Sequence, residues 1–118
     1  GKIIKNKNVI LTRYGDIHPF PNGPKFECEN LILNNCNKNF VYYWLDKKTF
    51  PKVKNVFLGS HPCEFEVLAR MDSDIYVHDM FERYTRRGGN QDRKNVKVIL
   101  DEDYQKVLND YDSEELIE

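Results

Sequence analysis

The segment Ser60-His61-Pro62-Cys63 combines residue types that can perform nucleophilic chemistry. A cysteine at the start of a helix is favoured as a thiolate, and a nearby histidine can accept its proton. Cys63 is therefore the candidate nucleophile of a cysteine-dependent enzyme, with His61 as its base. The structural alternative packs Cys63 beneath a turn. It is the favoured one, because no glycine lies between Cys63 and Arg70 to form an anion cradle.

Three cysteines and three histidines could serve as zinc ligands. None of them occurs in the Cys-x2-Cys or His-x3-His spacing that is typical of zinc sites. No glycine-rich phosphate motif, Ser-His-Asp order or paired-carboxylate site stands out either. We therefore expect no metal, no cofactor, no small-molecule substrate and no enzymatic activity. The six residues are His18, Cys28, Cys36, His61, Cys63 and His78.

A basic segment surrounds Gly88-Gly89 and could contact phosphate groups. Flexible basic loops with nearby aromatic rings, here Tyr84 and Tyr43, can hold single-stranded nucleic acid. The alternative is a solvated helix end, where arginine also favours the helix dipole. With a net charge of -1, bulk coating of nucleic acid is not expected. The possible phosphate contacts are Arg83, Arg86, Arg87, Arg93 and Lys94.

The length of 118 residues fits one domain, which we place at residues 1–109, followed by an acidic tail at 110–118. Residues 1–59 carry ten basic and four acidic groups, whereas residues 60–118 carry eight basic and fifteen acidic groups. Such a dipole can steer partners or favour head-to-tail stacking. The uncharged apolar runs are too short to cross a membrane, and no leader opens the sequence. Reduced cysteines then indicate a cytoplasmic protein.

One four-residue pattern recurs along the chain: Asn or Asp, an aliphatic residue, any residue, and another aliphatic residue. The copies are short and rich in β-branched residues, as buried strands are. Every gap between copies is long enough for a parallel crossover. We expect about five neighbouring parallel strands, with core residues Val9, Leu11, Leu31, Leu33, Val56, Leu58, Ile75 and Val77.

The connecting segments predict helices that cover this sheet. A helix at 38–50 places Trp44 on an apolar face, and further helices are expected at 63–71, 79–87 and 101–110. In the last one, the apolar face consists of Tyr104, Val107 and Leu108. Residues 14–25 contain three prolines and are expected to form an extended loop. The alternation of strands and helices predicts an α/β fold.

The second copy, with Leu31, Leu33 and Cys36, resembles the L-x-L-x-x-C/N spacing of leucine-rich-repeat proteins. A period of 20–29 residues with one strand each is typical of such solenoids. The resemblance covers roughly residues 8–101 and implies that Cys36 turns inward and bonds the backbone. Another parallel α/β layer fold is the alternative. The high Asn, Lys, Ile and Tyr content, with a single Ala, is similar to that of proteins from large AT-rich DNA viruses.

Strand side chains alternate between faces, so a second set should face away from the predicted core. Four adjacent large apolar groups exceed what soluble monomers usually expose. Either this chain covers them, with its proline-rich loop or its tail at Leu116-Ile117, or another chain does. We define the outward ridge as Ile10, Ile32, Phe57, Tyr76 and Lys97.

The leading hypothesis is a non-enzymatic protein-interaction module. As a viral protein, it would act in the host cytoplasm or the virion. Its outward ridge would bind a second copy, as a homodimer, or another protein. The alternatives are a nucleic-acid-associated factor that uses residues 83–94 and a cysteine-dependent enzyme centred on Cys63.

Overall fold

Short apolar segments form the strands that the recurrence predicts. The computed structural model describes residues 3–15, 25–41, 53–61, 71–85 and 95–117. Residues 38–41 are helical, a 3-10 turn spans Asp79–Phe81, helix α1 spans Glu82–Thr85 and helix α2 spans Asp101–Asp110. The strands are β1 (Ile3–Lys5), β2 (Asn8–Thr12), β3 (Lys25–Glu27), β4 (Asn30–Asn34), β5 (Asn55–Gly59), β6 (Asp74–His78), β7 (Val96–Ile99) and β8 (Glu114–Ile117).

Six of these strands form one parallel sheet in the order β7-β6-β5-β4-β2-β8. Strands β1 and β3 pair with each other, also in parallel. Register within the large sheet is unshifted, so each strand position lies beside the same position of the next recurrent copy. The prediction of an α/β fold with a short parallel sheet is confirmed. The resemblance to leucine-rich-repeat proteins stays a prediction.

One face of the sheet, the first face, carries the main core. All eight residues predicted for the core are buried there, on neighbouring parallel strands. They pack against Phe26 of β3 and against buried groups that follow β2 and β4, including Tyr14 and Phe40, whose rings stack with 5.3 Å between centroids. Burial of such side chains is the main source of stability in a domain of this size.

The opposite, second face of the sheet is covered by helix α2. Ile10, Ile32 and Phe57 are buried in a cluster with Tyr104 and Val107 of that helix. The expectation that these ridge residues face a second copy is therefore corrected. An all-parallel sheet needs cover on both faces, and α2 supplies it within the chain. The tail at Leu116-Ile117 instead joins the sheet, and most of the proline-rich loop lies outside the described residues.

The acidic segment that we separated from the domain belongs to the sheet. Glu114–Ile117 forms β8 and pairs in parallel with β2, from Val9↔Glu114 to Thr12↔Ile117. Leu116 packs against the first-face core, and this contact gives the strand its anchor. The sheet consequently has one strand more than the recurrent pattern predicts.

Several sequence predictions fall outside the described residues. These include Trp44 with most of its helix, Cys63 with the 63–71 helix, and most of the 14–25 loop. Within the described part, the predicted helix at 101–110 is confirmed, and the predicted 79–87 helix begins as a 3-10 turn followed by α1.

We expect Leu33→Ala to lower the free energy of unfolding by about 2–5 kcal/mol, because it leaves a cavity in the buried centre of the sheet. Chemical denaturation at low protein concentration measures this change. The matched control is Val98→Ala, which lies in the same sheet-wide row but is 40% exposed and should change stability by about 0.5 kcal/mol or less. Equal losses in the two variants would contradict the assignment of the core.

Candidate functional site: the carboxyl edge and open ends of the sheet

The asparagines that begin the recurrent copies form a hydrogen-bonded Asn ladder at the amino edge of the sheet. The side-chain amide of Asn30 donates to Oδ1 of Asn8 at 2.7 Å, and the side-chain amide of Asn55 donates to Oδ1 of Asn30 at 2.9 Å. The Asn8 amide donates to the carbonyl oxygen of Asp112 at 3.0 Å and so ties the ladder to the segment before β8. Because these polar groups satisfy one another, they can be buried at little cost.

Sharp turns follow β2 and β4 at equivalent positions. Arg13 and Asn35 both have a positive φ, of 65° and 55°, in the left-handed region. The Arg13 amide donates to the Asn34 carbonyl, and the Asn35 amide donates to the Gly59 carbonyl, so backbone bonding continues from strand to strand past the sheet. Just beyond, the Cys36 thiol turns inward and donates to the Leu11 carbonyl oxygen at 3.3 Å.

Helix α2 meets the carboxyl edge of the sheet through Tyr104. Its hydroxyl donates to Oδ1 of Asn34 at 2.9 Å, and its ring packs edge-on to His78 with 5.1 Å between centroids. A Cβ atom built on Gly59 would overlap the Tyr104 ring and hydroxyl. The glycine is therefore needed for the close approach of helix and sheet. The sheet residues of this contact lie at the same strand position as Thr12. We call them the carboxyl-end row: Thr12, Asn34, Gly59 and His78.

His78 joins the end of β6 to the start of α2. Its Nε2 atom lies 2.8 Å from Oδ1 of Asp101, and its Nδ1 atom accepts a hydrogen bond from the Met80 amide at 3.1 Å. Nδ1 as an acceptor places the ring proton on Nε2, which donates to Asp101. The Asp101 amide in turn donates to Oδ2 of Asp79 at 3.4 Å. Both ring nitrogens are thus engaged, and His78 positions α2.

Hydrogen bonds and burial shift the pKa values of two α2 residues at this contact, Asp101 and Tyr104. Hydrogen bonds from His78 and then from Gln105 lower the pKa of Asp101, which is exposed at the first turn of α2. Burial raises the pKa of Tyr104 above its ordinary value, so its hydroxyl stays protonated as a donor to Asn34. A carboxylate is also favoured at a helix N-terminus by the helix dipole. The carboxyl-end row therefore works as an attachment point for the helix.

Cys28 lies beneath a shallow depression at the amino edge, where Glu29 is 4.0 Å from the Lys7 ammonium and 3.6 Å from that of Lys54. Burial raises the pKa of the Cys28 thiol to about 12. Since only the thiolate is a strong nucleophile, this thiol is unsuited to catalysis at neutral pH.

Strand β7 forms one open end of the large sheet. Within the described part of the chain it pairs only with β6, so its other side presents unpaired backbone groups. Apolar side chains around it are exposed: Val98 by 40%, Leu100 by 54% and Met80, which follows β6, by 71%. Lys97 is also exposed, and its ammonium lies 3.8 Å from Asp74 and over the Tyr76 ring. We call strand β7 together with the exposed side chains of Met80, Lys97, Val98 and Leu100 the β7 edge.

Strand β8 forms the other open end, the β8 edge. In the residues that the structure describes, it pairs with β2 alone. Glu115 accepts a hydrogen bond from the Thr12 hydroxyl at 3.0 Å and stays exposed, and Ile117 is 58% exposed. This edge is therefore acidic in its first half and apolar in its second.

The predicted site residues are distributed unevenly. The outward ridge is covered at Ile10, Ile32 and Phe57, half-buried at Tyr76, which stacks on Phe57 at 4.9 Å, and open only at Lys97. Of the possible phosphate contacts, Arg83 lies exposed on α1. The other four, Arg86, Arg87, Arg93 and Lys94, lie outside the described residues.

The described residues contain neither a metal-ligating cluster nor a membrane-spanning helix. Residues 3–15, 25–41, 53–61, 71–85 and 95–117 contain no group of three or more His, Cys, Asp or Glu side chains arranged so that they could hold a metal ion. None of the helices in that same part of the chain is long and apolar enough to cross a membrane.

Comparison with known proteins places the chain in a family. The model of the family of unknown function DUF5845 matches residues 9–89. The chain belongs to this family. Two relatives come from Acanthamoeba polyphaga mimivirus: the uncharacterized protein R849 is 40% identical over 98% of this chain and 81% of its own length. The uncharacterized protein L163 is 38% identical over 73% of this chain and 62% of its own length.

These relatives support a viral origin for the chain, in agreement with what its composition predicts. No solved structure matches it significantly.

Sequence reasoning missed the residues that fasten the helix to the sheet. The pattern identified Tyr104 as part of an apolar helix face but connected it to no residue of the carboxyl-end row. A signal was present, since Gly59 is the one position of that row without a side chain and so leaves room for a ring from the other layer.

We expect Gly59→Ala to destabilise the protein by about 1–3 kcal/mol, because the new methyl group overlaps Tyr104 and forces α2 away from the sheet. Thermal or chemical unfolding measures the loss. The control is Gly15→Ala, whose added Cβ would be 4.0 Å from its nearest neighbour. That variant should be neutral or slightly stabilising, and a comparable loss there would contradict the proposed overlap.

We expect Asp101→Asn to lower stability at neutral pH, and the difference from the natural chain to vanish in acid. The pKa of Asp101 is depressed in the folded state, so its contribution is present above the unfolded value of about 3.9 and is lost as the pH falls below it. Unfolding curves across this pH range test the prediction. Asp110→Asn, at the unfavourable end of the same helix, should cause no loss. A pH-independent difference for Asp101→Asn would refute the expectation.

Proposed function

We propose that the protein is a non-enzymatic protein-interaction module that associates with further copies of itself through the β7 edge. The observation that supports this most strongly is an edge strand that has no partner on its outer side among the described residues and whose apolar neighbours are exposed. Adding a strand to such an edge is a common mode of protein recognition, because backbone hydrogen bonds supply affinity and alternate side chains supply specificity.

Within the part of the chain that the structure describes, the β7 edge has little of the protection that natural sheets usually give to their ends. Charged side chains, prolines and bulges normally discourage pairing at an edge. Here Val96–Ile99 contains no proline, and its single charge, on Lys97, already lies near Asp74 of the neighbouring strand. The exposed side chains of Val98 and Leu100 favour a partner that buries them.

The carboxyl-end row supports a non-enzymatic role. Both ring nitrogens of His78 are bonded, and the Tyr104 hydroxyl is held by Asn34. These groups fasten α2 to the sheet, which supports a positioning role for His78 and Tyr104 and not a catalytic one. The relatives support a viral origin, and we propose that the protein acts in the host cytoplasm or the virion.

The test is the concentration dependence of the solution mass, measured by light scattering. For the natural chain we expect masses above the 14.1 kDa of one chain at high micromolar concentration. Val98→Asp should remain monomeric under the same conditions, because association would bury its carboxylate beside the apolar residues of the edge.

Asn39→Asp provides the control, since it adds the same charge on an exposed helical residue away from both sheet edges. It should associate like the natural chain, and circular dichroism should show that all three proteins are folded. A natural chain that stays monomeric throughout the concentration range would overturn the proposed function.

A further inference from the structure

We infer that copies of this chain join head to tail, with β7 of one copy pairing in parallel with β8 of the next, so that the sheet continues from molecule to molecule. This inference rests on the proposed function and names the surface that receives the β7 edge. It depends on three observations: the unshifted register, the side chains on the two edges, and their charges.

The register of the sheet determines which residues would meet. Tyr76 lies beside Lys97 at one end of the sheet, and Ile10 lies beside Glu115 at the other. Ile10 and Tyr76 belong to one continuous row, through Ile32 and Phe57. A strand pair formed in the same unshifted register therefore places Lys97 of one copy directly opposite Glu115 of the next.

The side chains that would then face each other are complementary. Lys97 and Glu115 carry opposite charges, are exposed, and lie on the second face of the sheet. In the same register, Val98 lies opposite Leu116 on the first face, and Ile99 lies opposite Ile117 on the second. Opposite charges and matched aliphatic residues are the cross-strand pairs that stabilise sheets. Of the facing positions, only Val96 and Glu114 are mismatched.

A two-fold pairing of β7 with itself fits less well. It would bring two Lys97 ammonium groups into one short interface and leave the exposed Ile117 uncovered. Head-to-tail contacts have a different consequence, because each added copy presents a new open β7 edge. The assembly therefore grows past a dimer with rising concentration, unless the twist of the sheet closes it into a ring.

The experiment exchanges the charges. Lys97→Glu and Glu115→Lys each place like charges opposite one another, so each variant alone should associate on the order of tenfold more weakly than the natural chain. In an equimolar mixture every contact between unlike variants pairs opposite charges again. The mixture, and the double variant, should therefore recover association, as measured by light scattering and sedimentation velocity.

Glu114→Lys is the matched control, because it makes the same charge change on the same strand but faces Val96. It should retain most of the association. If Glu115→Lys associates like the natural chain while Val98→Asp remains monomeric, the head-to-tail inference fails and the proposed function stands. If neither the natural chain nor the mixture associates, both fail.

Discussion

The unshifted register between neighbouring parallel strands determines most other contacts of this protein. Because strand side chains alternate, a slip of one residue would move each core side chain to the opposite face. The Asn ladder opposes such a slip, since the Asn30 amide reaches Asn8 at 2.7 Å only when the first positions of the strands are aligned. The same alignment stacks Leu11, Leu33 and Leu58 in one buried row and brings Asn34 and Gly59 together beneath Tyr104.

The path of the chain after β7 explains why one face is covered and one edge is left open. The chain leaves β7, crosses the second face as α2, and returns to the sheet as β8 beyond β2. Along this path Tyr104 donates a hydrogen bond to Asn34, and Val107 packs in the cluster with Ile10 and Phe57. The carbonyl oxygen of Asp112 then accepts a hydrogen bond from the side-chain amide of Asn8. The last strand is thus used at the far end, and within the described residues nothing pairs with the outer side of β7.

The recurrent pattern was sufficient to predict the sheet, because period and alternation both depend on local sequence. Leu33 and Val77 are identifiable as core residues from their place in a repeated motif. The cover of the second face was not predictable in this way, since it depends on which of several amphipathic segments reaches Ile32. The strand Glu114–Ile117 was also missed, because its acidic sequence is typical of a solvated tail. Its pairing with β2 and the packing of Leu116 against the core are long-range contacts that the local sequence does not show. Contacts between His78 and Asp101 depend on the same long-range arrangement.

The family match includes most of the large sheet but not the helix that covers its second face. Residues 9–89 contain β4, β5, β6 and all of β2 except Asn8, whereas β7, α2 and β8 all lie beyond them. The matched region therefore includes the apolar row Ile10, Ile32 and Phe57 but not the helix that covers it. Any chain built on these four strands has to bury that row, because a parallel sheet is stable only with both faces covered. Here the covering segment also ends in the strand that we propose as the partner of the β7 edge. The cover of the second face and the proposed contact between copies thus depend on the same segment, so a change that breaks the bonds of Tyr104 to Asn34 and of Asp101 to His78 would loosen α2 and displace the β8 edge as well.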